Sequence, residues 1–191
     1  MSPGPPVDIA AAGARLPGVC GRYAITSPNE ALEQLFRADT ARLQMPPRYN
    51  AAPGQDLPVV RFDPERKRRV ISALRWGLVP HWADDPKIAW KLINARSETA
   101  ERLPAFRAAF ARRRCLVPAN AFYEWRKEGK QRLPHAIARR DGGMMALAGL
   151  WEGWKQPDGA WLRSFTILTV PANAALHEIH PRMPAILPPA D

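Results

Sequence analysis

Cysteine is nearly missing from this chain: Cys20 and Cys115 are the only two in 191 residues. Two thiols so far apart form neither a disulfide framework nor a metal-ligand spacing. Long apolar runs are missing too. None approaches the roughly 20 residues a spanning helix needs, which excludes an integral membrane protein. Residues 1–19, MSPGPPVDIAAAGARLPGV, lack a basic leading segment and put Asp8 where an apolar signal core would lie. They are not a secretory signal, so the cytoplasm, with reduced thiols, is the expected compartment. Lysine is scarce as well, at 6 of 28 basic residues against 22 arginines.

Acidic residues are outnumbered 18 to 28, which gives a net charge of +10. Arginine binds phosphate bidentately, so the excess suits a polyanionic partner. An Ala- and Arg-heavy composition also follows from GC-rich coding, and charge by itself does not decide between the two. With 46% hydrophobic and 24% charged residues, the chain is an ordinary globular one of a single domain.

Residues 1–19 are small, Pro/Gly-rich and aperiodic, and they read as a disordered leader or a mis-annotated extension. A folded domain is expected over 20–191. A short strand is expected at Cys20–Tyr23. Ser27, Pro28 and Glu30 then read as a capping box opening a helix with Leu32, Leu35 and Phe36 on its apolar face. LPVVRF and VISALRW flank the charged turn DPERKRR as a hairpin. A helical patch is expected over 97–113, and strands at 115–117, 122–126, 135–139, 144–151 and 161–170. Turns KEGK, RDGG and QPDG join these strands. A short helix over 173–179 and a strand at 185–187 complete the reading. Hairpin-length connections imply mostly antiparallel pairing. The expected class is α+β: a curved, mostly antiparallel sheet or partial barrel with a few flanking helices.

Five segments look too specific for packing alone. Arg48-Tyr49-Asn50-Ala51-Ala52-Pro53-Gly54 is polar and turn-like, and Trp76-Gly77-Leu78-Val79-Pro80 follows a strand. Asn94-Ala95-Arg96-Ser97-Glu98-Thr99 gathers amide, guanidinium and carboxylate at a strand-to-helix junction. Phe122-Tyr123-Glu124-Trp125 sets a carboxylate among aromatics, and His180-Pro181-Arg182-Met183-Pro184 joins imidazole to guanidinium. A carboxylate on a strand usually faces solvent, but a Glu124 that faces inward would hold its proton more tightly and suit a general acid. His177 and His180 lack the further ligands a metal centre needs. Cys115 reads as a buried core thiol. The tryptophans divide between core and platforms for bases. Arg66-Lys67-Arg68-Arg69 and Arg112-Arg113-Arg114 read as a solvated hairpin tip and a helix end, either of which can also follow a phosphate backbone.

Taken in order, CGRY, RYNxAPG, WGLxPxW, INARxET, FYEW and HxRMP resemble the SOS response-associated peptidase (SRAP) family of abasic-site-processing proteins. The resemblance runs from Cys20 to about Leu187. It implies a sensor of abasic sites in single-stranded DNA, acting in the DNA-damage response near the replication fork of a bacterium. Attachment is covalent, a thiazolidine made by a cysteine at the mature N-terminus. It further implies Cys20, Asn94, Glu124 and His180 as catalytic residues. Arg22, Arg96, Asn50, Trp76 and Arg182 are expected at the DNA. No metal, no cofactor and a monomer are expected. The name "peptidase" refers to release of whatever precedes the cysteine.

Two departures stand out. Cys20 is not at position 2, and the chain ends soon after HxRMP, where relatives continue; a truncated C-terminus would leave a sheet edge open. The favoured account of the first is an over-extended gene: Val19 is encoded by a codon family that includes the alternative start GTG. A pro-segment cleaved autocatalytically is the alternative. A thiol peptidase acting on its own leader or on other chains, and a non-catalytic single-strand-binding module, are the competing functions.

Overall fold

The computed structural model describes residues 20–40 and 43–188. The expected leader, residues 1–19, lies outside the described residues.

In chain order the first half runs β1 (Arg22–Ile25), α1 (Asn29–Phe36), β2 (Arg48–Ala51), β3 (Asp56–Asp63) and β4 (Arg68–Trp76). After a 3₁₀ turn (Pro86–Lys91) come β5 (Asn94–Arg96), α2 (Ser97–Ala100) and α3 (Arg107–Arg112). The second half is nearly all strand: β6 (Arg114–Ala119), β7 (Ala121–Glu128), β8 (Gln131–Ala138), β9 (Met145–Lys155), β10 (Trp161–Pro171), β11 (Arg182–Pro184) and β12 (Ile186–Leu187). The mixed, mostly β class expected from the sequence is the one observed.

Five strands close on themselves in the order β10-β4-β3-β6-β9, with β9 pairing back to β10. Closure follows from β10, whose long central run is buried on both sides and can serve two neighbours. It pairs antiparallel with β9 and parallel with both β4 and β5. Alternate residues of the ring, among them Val59, Leu74, Val117, Leu147, Phe165 and Ile167, are 0% exposed and fill its interior. A second, antiparallel sheet in the order β2-β1-β7-β8 packs onto it through Tyr23, Ile25 and Phe122. The hairpin at 56–76 has the expected form, with eight register pairs from Asp56↔Arg75 to Asp63↔Arg68. Gly77 has φ 114°, and a Cβ there would come within 2.9 Å of the Ala89 carbonyl oxygen. Only glycine lets the chain leave β4 against the 3₁₀ turn.

Several local expectations change in the folded chain. Ser27 does not cap α1; Pro28 occupies that position and no side chain caps it. The Ser27 hydroxyl instead accepts from Asn120 Nδ2 at 2.8 Å, and Asn120 Oδ1 takes the Thr26 and Ser27 N–H groups. A distant amide has outcompeted the local cap. Leu35 is 52% exposed, because two turns of helix bury only the Leu32–Phe36 stripe. The helical patch at 97–113 is two helices interrupted around Pro104. Residues 173–179 form successive turns anchored on Asn173 rather than a helix. The turn-like Arg48–Ala51 is a strand because Ala51 pairs with Tyr23. Among the described residues no helix is long and apolar enough to cross a membrane.

Candidate active site

β1 and β7 pair antiparallel, Arg22 opposite Tyr123 and Tyr23 opposite Phe122. This register carries the residues just before β1 alongside Glu124. Cys20 is 0% exposed, with φ 48°, and its backbone N–H donates to Glu124 Oε1 at 2.5 Å. Glu124 alternates inward with Phe122 on β7 and is only 5% exposed. Burial raises its proton affinity above the ordinary carboxylate range; the Cys20 N–H, the His180 charge and the Trp125 N–H pull the other way. Burial also pushes the Cys20 thiol well up, and the charge of Glu124 adds to the rise. Burial thus disfavours the charged form of both groups, which lie side by side.

His180 reaches this pair from the turn before β11. Its Nδ1 lies 3.1 Å from both the N and the O of Arg182. A bare Nδ1 accepts the Arg182 N–H; a protonated one donates to the Arg182 carbonyl, so either charge state keeps a backbone partner. The Arg182 side chain is clamped. Nη1 and Nη2 meet the two Glu98 oxygens at 2.8 and 3.0 Å, and Nη2 donates to the Thr169 carbonyl at 2.7 Å. The bonds from Arg182, with help from a backbone N–H, lower Glu98 to about 2. Asn94 and Arg96 are placed by β5, which runs parallel to β10 with Asn94 opposite Ile167 and Arg96 opposite Thr169. Asn94 is half-buried and Arg96 exposed.

The folded chain thus brings Cys20, Glu124 and His180 into one electrostatic cluster, with Asn94 and Arg96 on β5, across β10 from the strand that follows His180. Arg22 and Asn50 are half-buried on β1 and β2. Arg22 Nε and Asn50 Oδ1 are buried with no hydrogen-bond partner among the described residues. Two expectations need correction. Trp76 is 1% exposed, stacks on Phe165 and donates from Nε1 to the Ile93 carbonyl at 2.9 Å. It is a wall of the core, contacting Tyr23 with ring centroids 5.2 Å apart, and offers no face to a base. Arg182 has its guanidinium committed to Glu98 and Thr169, and only 16% of its side chain is exposed.

Sequence reasoning did not single out Glu98, although it lies inside the INARSET segment. Its partner is 84 residues away in HxRMP, and only tertiary contact joins the two. His135 was also missed. It stands opposite Glu124 in the β7–β8 register, and its buried Nε2 has no partner among the described residues. No group of three or more metal-ligating side chains forms among the described residues.

The model of the SOS response associated peptidase (SRAP) family matches residues 19–191. The abasic site processing protein YoqW of Bacillus subtilis (strain 168) is 38% identical over 172 residues, covering 88% of this chain and 76% of that one. The abasic site processing protein HMCES of Mus musculus is 31% identical over 216 residues, covering 88% of this chain and 61% of its own. A crystal structure of a Bordetella bronchiseptica protein superposes with TM-score 0.78 at 30% identity, covering 90% of this chain and 85% of that one.

Proposed function

The chain belongs to the SOS response associated peptidase family, and from that membership we propose that it processes abasic sites in single-stranded DNA during the response to DNA damage. The observation that carries this reading is the 2.5 Å contact between the Cys20 nitrogen and the buried Glu124 carboxyl. An abasic sugar is a masked aldehyde. Glu124, holding its proton, protonates the ring oxygen as the sugar opens. The α-amine of a Cys20 freed from the preceding residue adds to the aldehyde carbon. Water then leaves and a C=N bond remains. The thiol adds to that carbon, sulfur forms the new C–S bond and the thiol proton passes to nitrogen. The product is a thiazolidine plus one water, and both nucleophiles come from a single residue, so ring closure is intramolecular. His180, with a backbone partner in either charge state, moves the protons.

The free amine is essential, because an amide nitrogen has given its lone pair to the carbonyl. Removal of everything before Cys20 would supply it. The test is to incubate the protein, with Cys20 verified by intact mass as its first residue, with a single strand carrying one abasic site. A denaturing gel should show one DNA–protein band; its absence sinks the reading.

The Glu98–Arg182 clamp sets the turn that carries His180. Glu98→Gln keeps the shape and loses the charge. It is expected to slow adduct formation at saturating DNA by about tenfold, the scale of one charge-assisted bidentate pair. Glu98→Asp should recover part of the rate. A rate equal to wild type would mean the clamp does not position His180.

A further inference from the structure

One end of the barrel carries a charge arrangement that the Cys20 site does not use. Among the described residues Arg68, Arg75, Arg113, Arg126, Arg139 and Arg182 each have a carboxylate or, for Arg113, the buried Glu152 within 4.0 Å. Arg61, Arg66 and Arg163 have none. Yet these three are gathered: burial makes Arg61 easier to deprotonate, and the positive charges of Arg163 and Arg66 add to that. Asp63 is the acid acting on Arg61, and its carboxylate already accepts the N–H groups of Glu65 and Arg66.

Strand register explains the geometry without reference to titration. The Arg61 guanidinium lies over the Trp151 ring, 5.2 Å from its centroid, and its Nε is buried without a partner among the described residues. Trp151 is paired with Phe165, so Arg163, two positions along β10, stands diagonally beside it on the same face. Two positions further out is Trp161, which is 66% exposed. A Cβ at Gly153 would be 3.5 Å from its ring, so the missing side chain at Gly153 leaves the indole room to lie on the sheet. Lys155, opposite Trp161, completes the row. Guanidinium, indole, guanidinium and indole therefore alternate along one surface. Asp63 offsets only part of this positive charge, so a backbone phosphate would relieve the remainder, and exposed indoles between the guanidinium groups suit stacked bases.

We propose that Arg61, Arg163, Trp151 and Trp161 form a second contact for single-stranded nucleic acid, binding backbone phosphate and an unstacked base. Arg163 precedes Thr169, which touches the Arg182 clamp, by six positions on β10, about 20 Å at roughly 3.3 Å per residue. The contact is thus displaced along β10 from the clamp beside His180. It rests on the proposed DNA-binding function but not on the covalent chemistry.

The exposed residues are the ones to change, since Arg61 and Trp151 also brace the barrel. Binding of a long oligothymidylate without any abasic site is measured across a salt series. Arg163→Ala should make the log–log salt slope shallower by about 0.7. Trp161→Ala should weaken binding at least about fivefold with the slope unchanged. Neither variant should alter adduct formation on an abasic strand too short to leave the Cys20 site. Wild-type affinity and slope in both variants, with adduct formation intact, would overturn this second contact alone. Oligoglutamate competing as well as oligothymidylate at equal charge would overturn it too, by showing a site for anions that ignores bases. Wild-type protein that binds no DNA would remove both the contact and the proposed function. Protein that forms no adduct, yet loses affinity through these substitutions, would leave the contact standing without the crosslinking chemistry.

Discussion

Glu124→Gln is expected to slow adduct formation by about 10²–10⁴-fold while leaving affinity for abasic single-stranded DNA nearly unchanged. Glutamine keeps the shape of the side chain and can still accept the Cys20 N–H, but it has no proton to give the opening sugar. The same substitution should stabilise the fold at neutral pH. Glu124 has its proton affinity raised by burial. A carboxyl whose folded pKa is raised binds more protons in the native state than in the unfolded one. Its favourable contribution is therefore complete below the unfolded value, about 4.3, and is lost as pH rises through the folded value. Above that window the wild-type chain holds an uncomfortable buried carboxylate and the glutamine variant does not. Thermal melts should show the Gln variant gaining on wild type as pH rises, by about 2–4 °C per kcal/mol for a domain of this size. A variant that crosslinks at the wild-type rate would remove Glu124 as the acid. A variant that is slow but no more stable at high pH would mean the carboxyl is not poorly accommodated, whatever its role in catalysis.

Cys20→Ala, with residue 20 verified as the first residue, should leave no denaturation-stable adduct. The amine can still form the imine, but nothing closes the ring, and the imine returns to aldehyde and amine in water. Intramolecular closure of a well-placed pair has effective molarities of about 10⁵–10⁸ M, so loss of the thiol should take the stable product below detection. Borohydride added during incubation should reduce the imine and restore a band in the variant, while wild type needs no reductant. A stable band from Cys20→Ala without borohydride would show that a different residue makes the bond. No band even with borohydride would show that the Cys20 amine is not the first nucleophile.

The sequence on its own determined the periodicities and the short-range chemistry. Apolar, β-branched and aromatic runs bounded by turn signals marked VISALRW and Trp161–Val170 as strands. The six ordered motifs named Cys20, Glu124 and His180, but whether Glu124 faces inward was left open by the sequence and was decided by the burial of alternate residues along β7. The tertiary structure decided what depends on partners far away in the chain. Ser27 gave up the helix cap because Asn120 arrives from β7's leading edge. Trp76, read as a possible base platform, became a core wall because β10 brings Phe165 against it. Glu98 met Arg182 only when β10 took β5 and β11 onto its two edges, and the Arg61–Trp151 stack formed only when β9 joined the ring. Local hydrogen bonds and hydrophobic patterns are set by neighbours a few residues away and can be read in one dimension. A side chain's partner, and whether its charge or ring is spent inside or offered outside, is set by which strands the closing barrel makes adjacent.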